Sequence, residues 1–315
     1  MQQKLRNEAK KLLEENKVDY IIGFAPGSLK FSITPLITKE KEEVADLVIN
    51  PFIVNNLAKF LTEIPGRVGI VAKACDSRSI VSLIQDNQVI RENVVIIGVP
   101  CSGLIDIAKV EKLVCKDRDA ISDIALNGEK ITVTIGGRNT ELPKEDVLFD
   151  NCLACEFPTP REYDILIGEP VDSTSSRSDR NKIKELEGLT SEQRWDFWKS
   201  QFSRCIKCYA CRQVCPACFC ERCFVEESEP QWVSPVPKWQ DNLIFQVIRN
   251  IHLAGRCTDC GECERVCPVN IPLRSLTKKM CEIVNEMFNY QAGTDKNAPP
   301  LMTAYEYEEA KNLIR

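Results

Sequence analysis

Cys205-Ile-Lys-Cys208-Tyr-Ala-Cys211-Arg-Gln-Val-Cys215-Pro216 and Cys257-Thr-Asp-Cys260-Gly-Glu-Cys263-Glu-Arg-Val-Cys267-Pro268 share one spacing, C-x2-C-x2-C-x3-C-P. Thiolates three residues apart in a tight loop wrap three corners of an iron–sulfur cube. The fourth cysteine, followed by a proline that stops the local turn, reaches across to the other cube. On that rule Cys205, Cys208, Cys211 and Cys267 hold one 4Fe-4S cluster, and Cys257, Cys260, Cys263 and Cys215 hold a second. Zinc is the plainer reading of C-x2-C pairs, but four ligands per ion leave the third cysteine and the Cys-Pro of each run without a purpose. The 41 residues between Cys215 and Cys257 include the helical pattern KWQDNLIFQVIRNIHLAGR, 238–256. This half therefore reads as a helical dicluster ferredoxin domain.

Composition supports thiolate chemistry. The chain has 315 residues, 17 cysteines and a single histidine, so sulfur is the only soft ligand in quantity. A chain of this length builds its cores without cross-links. It opens MQQKLRNEAKKLLEENK, with no apolar segment of the kind that heads a secreted, disulfide-rich protein. No stretch approaches the roughly 20 apolar residues of a membrane span. The net charge of −5, with both signs interspersed, gives nucleic-acid binding no electrostatic footing. The expectation is a cytoplasmic protein with no membrane span and no nucleic-acid partner.

From Val18 to about Pro170, apolar runs of β character (VDYIIGF, RVGIVAKA, NVVIIGV, ITVTIGG, DILIGEP) alternate with amphipathic stretches. That alternation predicts an α/β domain with a mainly buried sheet over 1–170. Leu5, Ala9, Leu12 and Leu13 give the first 17 residues one apolar face, so a docked helix is expected there. VDSTSSRSDRNK, 171–182, lacks apolar periodicity and opens a linker over 171–189. The helical iron–sulfur domain is expected over 190–290, and 291–315 reads as a polar tail ending in a short helix.

Cysteines outside the two runs leave alternatives open. Cys218, Cys220 and Cys223, in CPACFCERC, either ligate a further metal with a fourth ligand such as Cys281 or pack as small apolar side chains, the latter being slightly preferred. His252, shortly before Cys257, either hydrogen-bonds near a cluster or is an ordinary helix-face residue. Upstream, Cys75 and Cys101 each follow a β run, where open backbone N–H groups can stabilise sulfur charge, and Cys152-x2-Cys155 is a close pair. Four thiolates so arranged could close on one cubane.

The string Cys75-Asp-Ser-Arg after a strand, IGVPCSG around Cys101, and Cys152-x2-Cys155 leading into YDILIG resembles the beta-subunit family of coenzyme F-420 hydrogenases and dehydrogenases. The resemblance spans roughly residues 18–170, and 205–267 is similar to ferredoxin modules fused to such subunits. It implies a third 4Fe-4S cluster on Cys75, Cys101, Cys152 and Cys155, with Cys115 as substitute, and a flavin, FAD, beside it. No GxGxxG marks the flavin site; the loop GFAPGS at 23–28 and the Gly137-Arg138 turn are candidate contacts. The chain departs from the family at Ala72-Lys73-Ala74, where Gly-Thr-Pro is usual, and at Ser102-Gly103, where His-Gly is usual. Those departures bear on reduction of the deazaflavin coenzyme.

The resulting expectation is an electron-transfer subunit of a multisubunit hydrogenase, formate dehydrogenase or heterodisulfide-reductase-type complex. Its partners would be other subunits of that complex and ferredoxin or another soluble carrier. The alternative is a flavin-free wiring subunit with no catalytic site of its own. The CCG cysteine pairs of heterodisulfide-reducing sites are absent from the sequence.

Overall fold

Leu5, Ala9, Leu12 and Leu13 are the buried residues of α1 (Gln2–Glu14), the one-faced helix that their spacing predicts. The computed structural model describes residues 1–114, 117–173, 179–301 and 303. Its contacts divide the chain into two units: Met1–Leu57 with Ile64–Ala74 and Glu92–Lys182, and Ala58–Glu63 with Cys75–Arg91 and the residues from Ile183 onward.

The first unit is built on a five-stranded sheet in the order β2-β1-β3-β4-β8. β1 (Tyr20–Pro26), β3 (Val68–Ala72), β4 (Val94–Gly98) and β8 (Ile165–Leu166) run parallel, and β2 (Ile33–Thr38) closes one edge antiparallel to β1. Every residue of β3 is buried, which is why VGIVA reads as a continuous apolar run rather than an alternating one. The GFAPGS stretch is the end of β1 and its turn into β2, Gly27 N–H donating to Ser32 O at 2.8 Å.

A second sheet departs from the single-sheet expectation. β5 (Ile121–Asn127), β6 (Lys130–Ile135) and β7 (Arg138–Pro143) form an antiparallel meander. Its second turn is Gly136-Gly137, with φ of 53° and 77°, the conformation a two-residue hairpin requires and glycine supplies. Ile121, Ile124, Ile131 and Val133 pack its inner face against Phe52, Ile105, Val110, Val147 and Leu148. Around it lie α3 (Ile107–Val114), α4 (Lys144–Val147) and α5 (Asp150–Leu153). The two-residue period of ITVTI is the sheet's own sequence signature.

The second unit is helical: α2 (Ala74–Gln85, from Cys75), α6 (Asp179–Gly188, from Ile183), α7 (Ser191–Ser203), α8 (Ala210–Gln213), α9 (Trp239–His252), α10 (Glu262–Arg265) and α11 (Leu273–Phe288). Thr190 caps α7 through a reciprocal box with Gln193, satisfying two otherwise orphaned backbone donors. The core is Phe202, Cys211, Phe245, Ile271 and Leu273, with Trp198 stacked on Phe202 at 5.5 Å. α2 is tied to the stretch after α11: Arg78 donates from Nε and Nη2 to Ala292 O at 3.1 and 2.9 Å. A side chain at Gly293 would put its Cβ 2.0 Å from Arg78 O, so only glycine permits this approach. Among the described residues no helix is long and apolar enough to cross a membrane. The expected terminal helix and most of the Ser-rich linker core, 304–315 and 174–178, lie outside the described residues.

Candidate metal centre

The two cysteine runs adopt the same backbone. In the first, Lys207 and Tyr209 are left-handed, with φ of 54° and 57°; in the second, the matching Asp259 and Gly261 are left-handed, with φ of 59° and 77°. A four-residue helix follows each, α8 after Tyr209 and α10 after Gly261. Alternating hand turns successive N–H groups to one side, as in an anion-binding nest, and here they meet sulfur. Lys207 N–H donates to Cys205, Asp259 N–H to Cys257, Glu262 N–H to Cys260 and Ala217 N–H to Cys215. Ile271 N–H donates to Cys267 Sγ at 3.4 Å and Gln246 Nε2 to Cys211 Sγ at 3.8 Å.

Thiols from distant stretches gather in two sets. Cys205, Cys208, Cys211 and Cys267 line one cavity with Phe245, Gln246 and Ile271, and Cys205 lies within electrostatic reach of the other three. Cys263 lies within the same reach of Cys215, Cys257 and Cys260. In each set three sulfurs come from one run and the fourth from the Cys-Pro of the other. No group of three or more His, Cys, Asp or Glu side chains among the described residues converges tightly enough for a single metal ion.

Burial sets the chemistry of these thiols. It pushes Cys205 and Cys211 up, and Cys260 up to about 12. Cys263 is pushed up by burial too, and neighbouring sulfurs add to it. Cys215 is raised chiefly by its hydrogen bond with Cys218, and Cys257 by its hydrogen bond with Cys281. A ligand thiol must lose its proton to bind iron, so these sites favour the neutral thiol until a cation compensates the charge. The residues present fit a pair of cubanes: the donors are all sulfur, N–H groups face them, and a cation, Arg249, is buried among them with Nε lacking a protein partner.

The remaining cysteines are not brought together as a further site. Cys218 lies beside Cys215, Cys281 beside Cys257, Cys220 is exposed, and Cys223 starts the short turn that Glu226 closes by accepting its N–H at 3.0 Å. Cys218, Cys220, Cys223 and Cys281 thus each have their own surroundings. His252 lies exposed at the end of α9, edge-on to Phe224 at 6.0 Å, as an ordinary helix-face residue. Upstream, Cys75 starts α2 and belongs to the second unit; Cys101, Cys152 and Cys155 belong to the first. Cys101 follows β4 with its N–H on Pro158 O at 2.8 Å, and Cys152 lies in α5. Cys115 lies outside the described residues.

Four residues around the ligands emerge only in three dimensions. Ser79 and Thr258 hydroxyls lie 2.9 Å apart, so α2 grips the second loop between Cys257 and Cys260. Lys207 is 7% exposed and its ammonium donates to Ser234 O and Val236 O. Arg249 is 4% exposed and donates to Cys211 O at 2.9 Å. The usable signal is the spacing of Asn242, Gln246 and Arg249, a polar stripe at helical period on α9.

Residues 200–271 match the model of a 4Fe-4S dicluster domain. The F420-dependent formate dehydrogenase subunit beta of Methanocaldococcus jannaschii is 26% identical, with 93% of this chain and 92% of the relative covered. The F420-dependent formate dehydrogenase 1 subunit beta of Methanococcus maripaludis is 25% identical, with 93% and 91% covered. A solved structure of the F420-reducing [NiFe] hydrogenase complex from Methanosarcina barkeri aligns at a TM-score of 0.42 and 13% identity, over 64% of this chain and 86% of that one, too loose a likeness to carry weight. The chain is thus similar over nearly its whole length to F420-dependent formate dehydrogenase beta subunits, as Cys75, Cys101 and Cys152-x2-Cys155 led us to expect, and it carries a 4Fe-4S dicluster domain at 200–271.

Proposed function

We propose that this chain is an iron–sulfur electron-transfer subunit of a multisubunit oxidoreductase of the formate dehydrogenase or hydrogenase kind. Cys205, Cys208, Cys211 and Cys267 would hold one 4Fe-4S cluster, and Cys257, Cys260, Cys263 and Cys215 the other. The observation that carries this reading is the crossed gathering of thiols, three from one run and one from the next, in both sets. Bound clusters would supply one-electron transfer, which sulfur ligation, burial and N–H donors tune. The chain's own residues supply the cage, its donors and its shielding from water: Gln246 and Ile271 orient the first set, and Thr258, held by Ser79 of α2, steadies the second.

A third cluster on Cys75, Cys101, Cys152 and Cys155 and an FAD beside it complete the reading. What supports them is the similarity to F420-dependent formate dehydrogenase beta subunits, and such a flavin would exchange electrons with a soluble carrier. Catalysis on the primary substrate would belong to companion subunits. In the flavin-free alternative, the wiring subunit, the two glycine stretches serve only as the turns into β2 and between β6 and β7.

The test is a cofactor count on anaerobically purified protein. About twelve irons per chain, four per cubane, matching acid-labile sulfide, and a yellow flavin released by acid are expected. About eight irons without flavin would favour the wiring subunit, and zinc without sulfide would defeat both.

A further inference from the structure

α9 buries three polar residues beside Phe245 and leaves three β-branched apolar ones exposed. Ile244, Val247 and Ile251 are 43%, 44% and 53% exposed, while Asn242, Gln246 and Arg249 are 1%, 3% and 4% exposed. Burying polar groups costs free energy unless partners await them, and the partners here are the two cysteine loops. Asn242 Nδ2 donates to Phe202 O at 2.8 Å and Cys205 O at 2.9 Å, and Gln246 to Cys211 Sγ. One turn on, Arg249 Nη2 donates to Cys211 O, a side-chain hydrogen bond joins Arg249 to Cys218, and Cys218 is hydrogen-bonded to Cys215. Its guanidinium therefore bonds to a ligand of the first set, Cys211, and reaches Cys215 of the second only through Cys218, while Nε is buried without a protein partner.

We propose that Arg249 is a shared tuning cation, one buried positive charge that stabilises the added electron on either cluster and so raises the potentials of both. This rests on the two-cluster reading above. Guanidinium keeps its proton at every working pH, so its charge is permanent. Adding an electron to a buried, thiolate-ligated site adds negative charge where solvent screening is weak, and a fixed cation nearby lowers that cost. The exchange it acts on is a single electron, lost by one set as it is gained by the other. No bond forms or breaks and no proton moves. The link through Cys218 to Cys215, with Cys263 also in electrostatic reach, puts the larger share of the effect on the second set. Arg249 is a positioning residue, since it acts through the ligands' surroundings rather than as a ligand.

The test is an EPR-monitored redox titration of the full-length, anaerobically prepared chain, wild type against Arg249→Gln and Arg249→Lys. In Arg249→Gln two cluster midpoints move to more negative values by unequal amounts, and Arg249→Lys, which keeps the charge, returns them toward wild type. Unmoved midpoints in Arg249→Gln with iron content intact overturn the proposal. Should Arg249→Gln shed its iron, Cys218→Ala decides: a more negative midpoint for one cluster supports the proposal, and unchanged midpoints overturn it. Iron-free wild type, found before any variant is made, would instead defeat the two-cluster reading itself.

Discussion

The two cysteine loops have one spacing and one backbone, yet opposite charges stand at the same place in each. Lys207 follows Cys205 by two residues and Asp259 follows Cys257 by two, and both are left-handed. Lys207 is buried against two carbonyls; Asp259 is clamped by Arg274, with Nε–Oδ1 at 2.5 Å and Nη2–Oδ2 at 2.6 Å. The first loop reaches the surface, with Cys208 exposed and Ile206 56% exposed. The second is gripped by α2 through Thr258 and flanked by Cys218 and Cys281. The difference teaches that ligand spacing selects the cofactor, while the neighbours of the ligands set its stability and potential. One loop is organised around an apolar core and the other around ion pairs.

Four predictions press on that contrast. Phe245 is 1% exposed, lies edge-on to Tyr209 at 5.1 Å and lines the first cavity. Phe245→Ala should cost about 4 kcal/mol in denaturant unfolding and loosen the first set before the second. Arg274→Ala should cost about 3 kcal/mol and affect the second set alone. Lys278, 3.8 Å from Asp259, keeps that loss from being larger. If Arg274→Ala disturbed the first set equally, the two loops would not be independently braced.

pH separates the loaded and iron-free chains. Burial raises Cys260 to about 12 from an ordinary 9.0, so between those values the folded iron-free chain holds a proton that the unfolded chain has lost. Stability of the iron-free chain is therefore fully present below about pH 9 and falls as pH rises toward 12. Loading iron removes those protons and should flatten the slope, which thermal melts at pH 7, 8.5 and 10 with and without iron would read. An iron-free chain no less stable at pH 10 than at pH 7 would argue against thiol burial. The smallest effect concerns backbone: Gly261→Ala should cost about 1 kcal/mol for its left-handed conformation, and a neutral result would mean that the second loop carries a left-handed side chain as readily as the first does at Tyr209.

Legibility in the sequence followed how local each constraint is. The C-x2-C-x2-C-x3-C-P runs name their chemistry within twelve residues, and the crossed fourth ligand follows from the trailing Cys-Pro. α1 was readable because Leu5, Ala9, Leu12 and Leu13 obey the helical period and bury against apolar neighbours. α9 defeats the same reasoning, because beside Phe245 its buried face is Asn242, Gln246 and Arg249 and the demand for donors comes from loops on either side in sequence. The β5–β7 meander carried its signals in Gly136-Gly137 and the alternation of ITVTI, which a single-sheet reading overrode. The placement of α2 from Cys75 in the helical unit rests on long-range bonds to Thr258 and Ala292, which no local pattern encodes.

Iron and acid-labile sulfide counted on two triple variants put the two-cage account to its most direct test. Replacing Cys205, Cys208 and Cys211 by serine should remove about four irons and four sulfides per chain, one cubane's worth, and the same change at Cys257, Cys260 and Cys263 should remove about four from a second cubane. Iron content untouched by either triple, or a stoichiometric zinc in place of the sulfide-bearing iron, would contradict it.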